Sequence, residues 1–200
     1  MSENGTLRRG RPGYDQQGIL DVAVTAFNQY GYDATSMGVL ADRLGLSKSA
    51  IYHHFASKDE ILEHALDHAL SSLEGVLDEP AATRGRAADR LDHVLRGAVH
   101  VLVDQLSYVT LLLRVRGNTD TERWAMERRR QFDHRVAVLL TQAAADGDIR
   151  ADVDARLATR LLFGMINSVA EWYRPDARGP HSGVEVADAV VRMAFAGLRI

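Results

Sequence analysis

Apolar residues recur at three- and four-residue steps along almost the whole chain, and this period most constrains the fold. In the first such stretch, Ile19, Ala23 and Phe27 fall on one face of a helix. No run of any length alternates apolar and polar residues in the manner of a strand, and the four prolines all stand at expected loops or boundaries. The sequence therefore predicts an all-α protein of about nine helices.

Glycines and serines mark where these helices begin and end. Gly31 and Gly45 follow the first two helical patterns, where a left-handed cap is favoured. Ser47 and Ser57 stand where the third and fourth helices need an N-cap. Beyond Pro80, the spacing predicts helices at residues 84–104, 106–116, 119–145, 154–173 and 183–198.

The segment TSMGVLADRLGLSKSAIYHH, residues 35–54, is two short helical patterns joined by a glycine turn. This spacing is typical of a helix-turn-helix, whose second helix enters the major groove of DNA by its N-terminal end. Ser47, Ser49 and the free amides of that helix can bind phosphate or base edges, and Lys48 adds a positive charge. Tyr52 adds a hydroxyl on the outer face. A plain helical hairpin is the alternative.

The charge distribution favours the same part of the chain. The net charge is −3, which by itself argues against a nucleic-acid partner. However, residues 1–58 carry six Lys or Arg and five Asp or Glu, whereas the remaining residues carry 18 and 22. If the protein binds a polyanion, we expect the N-terminal part to do so.

From Ile19 to Leu62 the sequence closely resembles the DNA-binding domain of the TetR family of transcriptional repressors, in the stretches ILDVAVTAFNQYGYDATSM, LADRLGLSKSAIYHHF and SKDEIL. The resemblance implies an all-helical subunit with a divergent C-terminal ligand domain and a homodimer built on the last two helices. By this resemblance, the residues expected to contact DNA are Thr35, Ser36, Lys48, Ser49, Ala50, Tyr52, His53 and Lys58. Ser47, chosen for its hydroxyl at the start of the helix, joins this set.

An arginine-rich arm, RRGRPG, precedes the first helix. Arg9 and Arg11 of such an arm can enter a narrow minor groove, and an ordinary solvated tail is the alternative. We thus expect a flexible basic arm over residues 1–14, a three-helix helix-turn-helix domain over residues 15–57, and a helical ligand-binding and dimerisation domain over residues 58–200.

The C-terminal part contains an apolar helix interrupted by polar residues, LLFGMINSVAEWYRP. It resembles the C-terminal domain of TetR-type repressors that respond to acyl- or aryl-coenzyme A thioesters in fatty-acid, steroid-ring or phenylacetate catabolism. Coenzyme A would need cationic partners, for which Arg114, Arg116 and residues 128–130 are candidates, although a charge run is also typical of a solvated face. The candidate effector-binding residues are Arg114, Trp124, Arg128, Phe132, Phe163, Asn167 and Glu171.

The last predicted helix is apolar on a wide arc, so with residues 155–173 it can form a four-helix bundle across a two-fold axis. Asn167 either orients a ligand in a pocket or forms a hydrogen bond between helices, for which this seam is one location. The candidate dimer residues are Leu162, Ile166, Val169, Trp172, Tyr173, Val190, Ala194 and Phe195. A dimer suits operator DNA because two recognition helices about 34 Å apart fit successive major grooves.

Several other classes of function find little support. The absence of cysteine excludes disulfides and thiolate metal sites, and His64 and His68, four residues apart, lack a third metal ligand at suitable spacing. No apolar run is long enough to span a membrane and no signal-peptide core is visible, so we expect a cytoplasmic protein. We expect no metal and no cofactor.

The sequence therefore predicts a ligand-responsive DNA-binding regulator. We expect a homodimeric repressor, released from a palindromic double-stranded operator by a small-molecule effector such as an acyl- or aryl-coenzyme A. A ligand-independent architectural DNA-binding protein and a small helical enzyme are the alternatives. The former would need a stronger basic face, and the latter a reactive constellation that the sequence does not contain.

Overall fold

The computed structural model describes residues 15–174 and 181–198. Within these ranges the chain forms ten helices and no strand, which confirms the all-α prediction. The helices are α1 (Gln16–Tyr30), α2 (Met37–Leu44), α3 (Lys48–Tyr52), α4 (Lys58–Asp78), α5 (Pro80–Thr83), α6 (Ala87–Asp104), α7 (Leu106–Arg114), α8 (Asp120–Ala145), α9 (Ala155–Trp172) and α10 (Gly183–Leu198). The helix that the spacing missed is α5, a single turn that starts with proline, a residue favoured at the first helical position.

The contacts divide the chain into two compact units, one ending at Ile61 and the other beginning at Leu62. Helix α4 therefore starts in the first unit and continues through the second. No helix within the two described ranges is both long and apolar enough to cross a membrane.

The first unit is a three-helix core followed by the first turn of α4. Its buried centre joins Phe27 of α1, Leu40 of α2 and Ile51 of α3, and each is at most 2% exposed. Phe55, in the turn after α3, completes this core at 1% exposed. The side chains that hold these helices together thus come from all three helices and from the turn.

Local capping explains where the helices of this unit begin and end. The Ser36 hydroxyl accepts a hydrogen bond from the Val39 amide, and Ser47 does the same for Ala50. Gly45 ends α2 in the left-handed region, at φ 63°. Helix α3 ends at Tyr52, and Ser57 then caps the start of α4 by accepting a hydrogen bond from the Glu60 amide.

The second unit is built around α6, which packs against α5, α7, α8, α9 and α10. Leu91, Leu95 and Leu102 of α6 are at most 1% exposed. Helices α8 and α9 pack along each other, and α10 lies on α6. Because α6 is surrounded in this way, the side chains on its surface determine which face of each neighbouring helix is buried.

A buried carboxylate closes the loop between α7 and α8. Glu122 is 7% exposed, and one of its oxygens accepts hydrogen bonds from the amides of Arg116, Gly117 and Asn118 at 2.7–2.9 Å. Burial alone would raise the pKa of Glu122, but the three amides together outweigh burial and hold that pKa below its ordinary value. The loop conformation therefore depends on an ionised Glu122.

Replacing Glu122 by glutamine is expected to lower the free energy of unfolding by about 1–3 kcal/mol at neutral pH, because an amide oxygen accepts these bonds less strongly. In the unmodified protein, this stabilisation is complete above the ordinary glutamate pKa of about 4.3. It declines as the pH falls from there through the lower pKa of the folded state. Urea unfolding between pH 3 and 7 measures both effects, and an E122Q variant with the same pH dependence as the unmodified protein would contradict this account.

Candidate functional site

The outer face of α3 carries most of the residues predicted to contact DNA. Lys48, Ser49 and His53 are exposed, and Tyr52 is 50% exposed. Ser47 is exposed at the start of the helix and Ala50 is half-buried. Since Ile51 on the opposite side is completely buried, the helix is fixed in the unit while its outer face stays available.

Lys48 and Ser36 converge on the first turn of α2, close to a residue that sequence reasoning did not select. A Cβ atom added to Gly38 would lie 3.2 Å from Lys48 Cε, 3.4 Å from Lys48 Nζ and 3.4 Å from Ser36 Oγ. The ammonium group and the hydroxyl thus border one spot at a helix N-terminus, an arrangement suited to a phosphate group. A glycine in the first turn of a short helix was the available sequence signal for this close approach.

Thr35 does not belong to the exposed surface, and the prediction that its side chain contacts phosphate is wrong. It is completely buried, and its hydroxyl donates to the Gly31 carbonyl at 2.8 Å. Its amide also donates to the Tyr32 carbonyl. Thr35 therefore holds the turn between α1 and α2, and Ser36 is the residue of this pair that faces outward.

Lys58 is half-buried at the start of α4. Its ammonium group donates to the Tyr32 carbonyl at 2.8 Å and lies 4.0 Å from the centroid of the Tyr32 ring. These contacts give Lys58 a structural role, which is to hold the start of α4 against the turn after α1. A contact between Lys58 and phosphate stays a prediction. Arg9 and Arg11 lie outside the described residues.

The second unit contains an apolar cavity that five helices line. Its volume is about 30 Å³. Among the predicted effector-binding residues, it brings together Phe132, Phe163 and Asn167, with the two rings packed edge to face at 5.3 Å. The apolar walls that the sequence did not single out are Leu73, Ala98, Leu102, Val109, Leu112 and Leu113, and Ile166, which was predicted for the dimer interface, also lines the cavity.

Polar groups are confined to one side of this cavity, where Arg129 and Asp133 of α8 meet Asn167 of α9. Burial raises the pKa of the Asp133 carboxyl, and the charges of Arg129 and Arg160 offset part of that rise. An apolar chamber with a few polar groups at one end is the usual form of a small-molecule site. The four-residue spacing of Arg129 and Asp133 on one helical face was the sequence signal for this pair.

Two other predicted effector-binding residues, Arg128 and Trp124, contact side chains of the same chain. Arg128 donates to Glu74 at 2.6 and 2.9 Å and to Asp67 at 2.5 Å, and its guanidinium lies 4.9 Å from the centroid of the Trp124 ring. The hydrogen bonds that Arg128 donates, first to Glu74 and then to Asp67, raise the pKa of Arg128 further above its ordinary value. Arg128 therefore ties α8 to α4. Neither Arg128 nor Trp124 lines this cavity, and the effector-binding role of both residues stays a prediction.

Arg114 and Glu171 do not line the cavity either. Both side chains are exposed, at the ends of α7 and α9 respectively. The sequence placed them on plausible helix faces, but the position of each residue at a helix end directs it away from the chamber.

Most residues predicted for the dimer interface are buried within the single chain. Trp172 is 51% exposed, whereas the others lie inside the second unit and are at most 8% exposed: Leu162, Ile166, Val169, Tyr173, Val190, Ala194 and Phe195. These side chains are packed within the single chain, and their contribution to a dimer stays a prediction. The apolar residues that α9 and α10 do expose are Leu157, Leu161, Trp172, Val184 and Met193, at 51–67%.

The histidine pairs show ordinary packing. The His68 ring lies 4.5 Å from the Tyr108 ring, and the His53 and His54 rings meet edge to face at 5.8 Å. Residues 15–174 and 181–198 contain no group of three or more His, Asp or Glu that could hold a metal ion.

An exposed recognition helix on a helix-turn-helix unit, followed by a helical unit with its own cavity, defines the class of DNA-binding regulators with a ligand domain. Residues 19–65 match the family described as bacterial regulatory proteins, tetR family, and residues 84–198 match the tetracyclin repressor-like C-terminal domain. The chain belongs to the TetR family of transcriptional regulators. The resemblance expected from its N-terminal sequence is thus confirmed.

Three relatives illustrate the similarity. A TetR-family regulator from Streptomyces coelicolor A3 is 59% identical, with a TM-score of 0.85 over 91% of each chain. The HTH-type transcriptional repressor KstR2 of Rhodococcus jostii is 28% identical over 78% of each protein. The fold of AibR, solved in complex with isovaleryl coenzyme A and operator DNA, has a TM-score of 0.77 over 91% of this chain and 98% of AibR, at 22% identity.

Proposed function

We propose that the protein is a homodimeric repressor that leaves a palindromic operator when an acyl- or aryl-coenzyme A binds its second unit. The observation that carries this proposal is the apolar cavity with Arg129, Asp133 and Asn167 at one end. An acyl or aryl group suits the apolar walls, and the polar end suits the thioester and the start of the pantetheine chain.

The size of the cavity supports a mechanism of release. A volume of about 30 Å³ admits little more than water. An effector must therefore enlarge the chamber and displace its walls, one of which is Leu73 of α4. Because the first turn of α4 belongs to the DNA-binding unit, a shift of α4 alters the operator-binding form. The effector binds the displaced form more tightly than the operator-binding form. Operator affinity therefore falls by a factor set by the ratio of these two effector affinities.

Side chains of α8, and one at the junction of α6 and α7, can transmit this displacement to α4. Arg128 holds Asp67 and Glu74, which lie about two turns apart on α4, and Arg135 pairs with Asp78 at its end. The hydroxyl of Ser72 on α4 accepts a hydrogen bond from the side-chain amide of Gln105, at the junction of α6 and α7. Movement of α8 around an effector would thus pull on α4 at several points.

The exposed apolar residues of α9 and α10 support a dimer. Leu157, Leu161 and Trp172 lie on one face of α9, with the small residues Gly164 and Ser168 between them. Met193 of α10 is 67% exposed. An apolar strip across two helices, with small residues that permit close approach, fits a two-fold helix bundle. This face replaces the buried one that the sequence favoured.

The relatives support the same regulatory mode. KstR2 is named as a repressor, and AibR was crystallised with both an acyl-coenzyme A and operator DNA. Their relationship to this chain makes a coenzyme A thioester the first effector class to test.

Fluorescence anisotropy with DNA from the protein's own upstream region tests the proposal. The full-length protein should bind at low salt, and isovaleryl or phenylacetyl coenzyme A should release the DNA. The same thioester at about 100 times its dissociation constant should stabilise the protein by about 2.7 kcal/mol in thermal unfolding. DNA binding without any thioester effect would favour the architectural alternative.

Replacing Lys48 by alanine is expected to weaken operator binding about 10-fold and to reduce the slope of log affinity against log salt by about 1, because one phosphate contact is lost. A Lys48→Arg variant, which keeps the charge, serves as the control and should retain the slope. Anisotropy titrations between 50 and 200 mM salt, roughly the range over which such slopes are measured, supply both numbers. An unchanged slope in K48A would remove Lys48 from the phosphate-binding set.

A further inference from the structure

A groove between α8 and α9 collects four basic side chains, none of which forms a hydrogen bond or ion pair with a residue of another helix in the described part of the chain. Its volume is about 260 Å³, and its lining includes Arg130 and His134 of α8 with Arg156 and Arg160 of α9. We call these four residues the basic groove. Each pair is spaced four residues apart, so both pairs point along the seam where α8 and α9 pack.

The charges of this groove are available to a ligand. Among the residues that the structure describes, Arg156 and His134 take part in no hydrogen bond or ion pair, and Arg160 acts on Asp133 only through its charge. Arg130 pairs with Glu127, but both side chains are more than half exposed, so the pair is weak. In contrast, Arg128 is fully engaged with α4.

The acidic groups near the groove do not cancel this charge. Asp133 lines the groove from below and is half-buried. Asp154 lines the adjoining groove and accepts a hydrogen bond from the Leu157 amide at 2.7 Å as the cap of α9. Four basic groups therefore face one carboxyl of α8 within the groove itself.

The basic groove connects two other spaces in the unit. Asp133 lines both the groove and the apolar cavity. On the other side, His134, Ala137 and Arg156 also line an adjoining groove of about 450 Å³. That volume falls within the range of roughly 300–1,000 Å³ typical of small-molecule sites.

We propose that the basic groove binds the nucleotide phosphates of the effector, with the adenosine in the adjoining groove and the acyl group in the cavity. Guanidinium groups suit this role because their planar forks bind phosphate oxygens through two parallel hydrogen bonds. This assignment rests on the proposed function for its acyl end, and it moves the phosphate-binding role from residues 114, 116 and 128 to Arg156 and Arg160.

The test compares an Arg156→Gln/Arg160→Gln double variant with the unmodified full-length protein by isothermal titration calorimetry. The probes are adenosine 3′,5′-bisphosphate, isovaleryl coenzyme A and phenylacetyl coenzyme A. The double variant should bind each phosphate-bearing probe about 10- to 100-fold more weakly, because two charge-assisted contacts are lost. An Arg84→Gln/Arg123→Gln variant has the same net charge and alters two exposed arginines outside the groove, so it should bind normally.

The outcomes separate this assignment from the proposed function. If the thioesters bind the unmodified protein and the double variant equally, or if the control variant loses as much affinity, the groove assignment fails and the proposed function stands. If the bisphosphate binds and requires Arg156 and Arg160 while neither thioester binds more tightly than it does, the groove assignment stands and the acyl-binding proposal fails. Thermal unfolding confirms that both variants are folded.

Discussion

Replacing Leu161 by glutamate is expected to raise the dissociation constant of the dimer at least about 100-fold, because each two-fold interface contains this position twice. Leu161 is 65% exposed at the centre of the apolar face of α9, so the change leaves the fold of the single chain intact. In the dimer it would bury two carboxylates against apolar surface, which is strongly unfavourable. Sedimentation velocity measures the shift from dimer to monomer.

Loss of the dimer should also abolish tight operator binding, since a monomer contacts one half-site only. Anisotropy with full-site and half-site DNA separates the two effects: L161E should bind both weakly and with similar affinity. Val138→Glu is the matched control, because Val138 is a 42% exposed apolar residue on α8 and so belongs to neither α9 nor α10. A dimeric L161E protein with normal operator affinity would rule out α9 as the dimer helix.

Replacing Phe55 by alanine is expected to destabilise the first unit by about 3–5 kcal/mol, the usual effect of removing a buried aromatic ring. Phe55 is 1% exposed in the turn after α3. Because a unit of this size has a small free energy of unfolding, much of it should unfold in the F55A variant, and operator binding should be lost. Effector binding should persist because the cavity lies in the second unit.

Hydrogen exchange measured by mass spectrometry tests this directly. In F55A, amides of residues 15–61 should lose protection while those of α6 keep theirs. Tyr52→Ala is the control from the same segment: Tyr52 is half exposed, so its loss should weaken operator binding without changing exchange. If F55A binds operator DNA normally, Phe55 is not the anchor that holds α3 in place.

The local elements of the DNA-binding unit could be predicted from sequence because their signals are local. Ser47 caps α3 and Gly45 ends α2 in the left-handed region, as the spacing indicated. Capping depends on the few residues around a helix end, so sequence alone suffices. Thr35 was different, because its burial depends on how α1 and α2 pack and not on its neighbours in the chain.

The C-terminal unit shows where such reasoning stops. Helix α9 is apolar on two sides, and its sequence does not say which side turns toward α6. The packing buries Leu162, which the sequence favoured for the dimer, and exposes Leu161. Likewise, Arg128 is indistinguishable in sequence from Arg129 and Arg130, yet only the fold brings Asp67 and Glu74 against it.

By itself, the sequence determined the all-α class, the helix-turn-helix with its caps, and the resemblance to the TetR family, since these follow from residue period and short fixed spacings. The tertiary structure alone decided which faces of α8 and α9 line the cavity, which arginines are engaged with α4, and which are left for the basic groove. The physical reason is that charge pairing and burial arise between residues far apart in the chain, such as Arg96 and Asp188, which are 92 positions apart. Helix periodicity does not encode such separations.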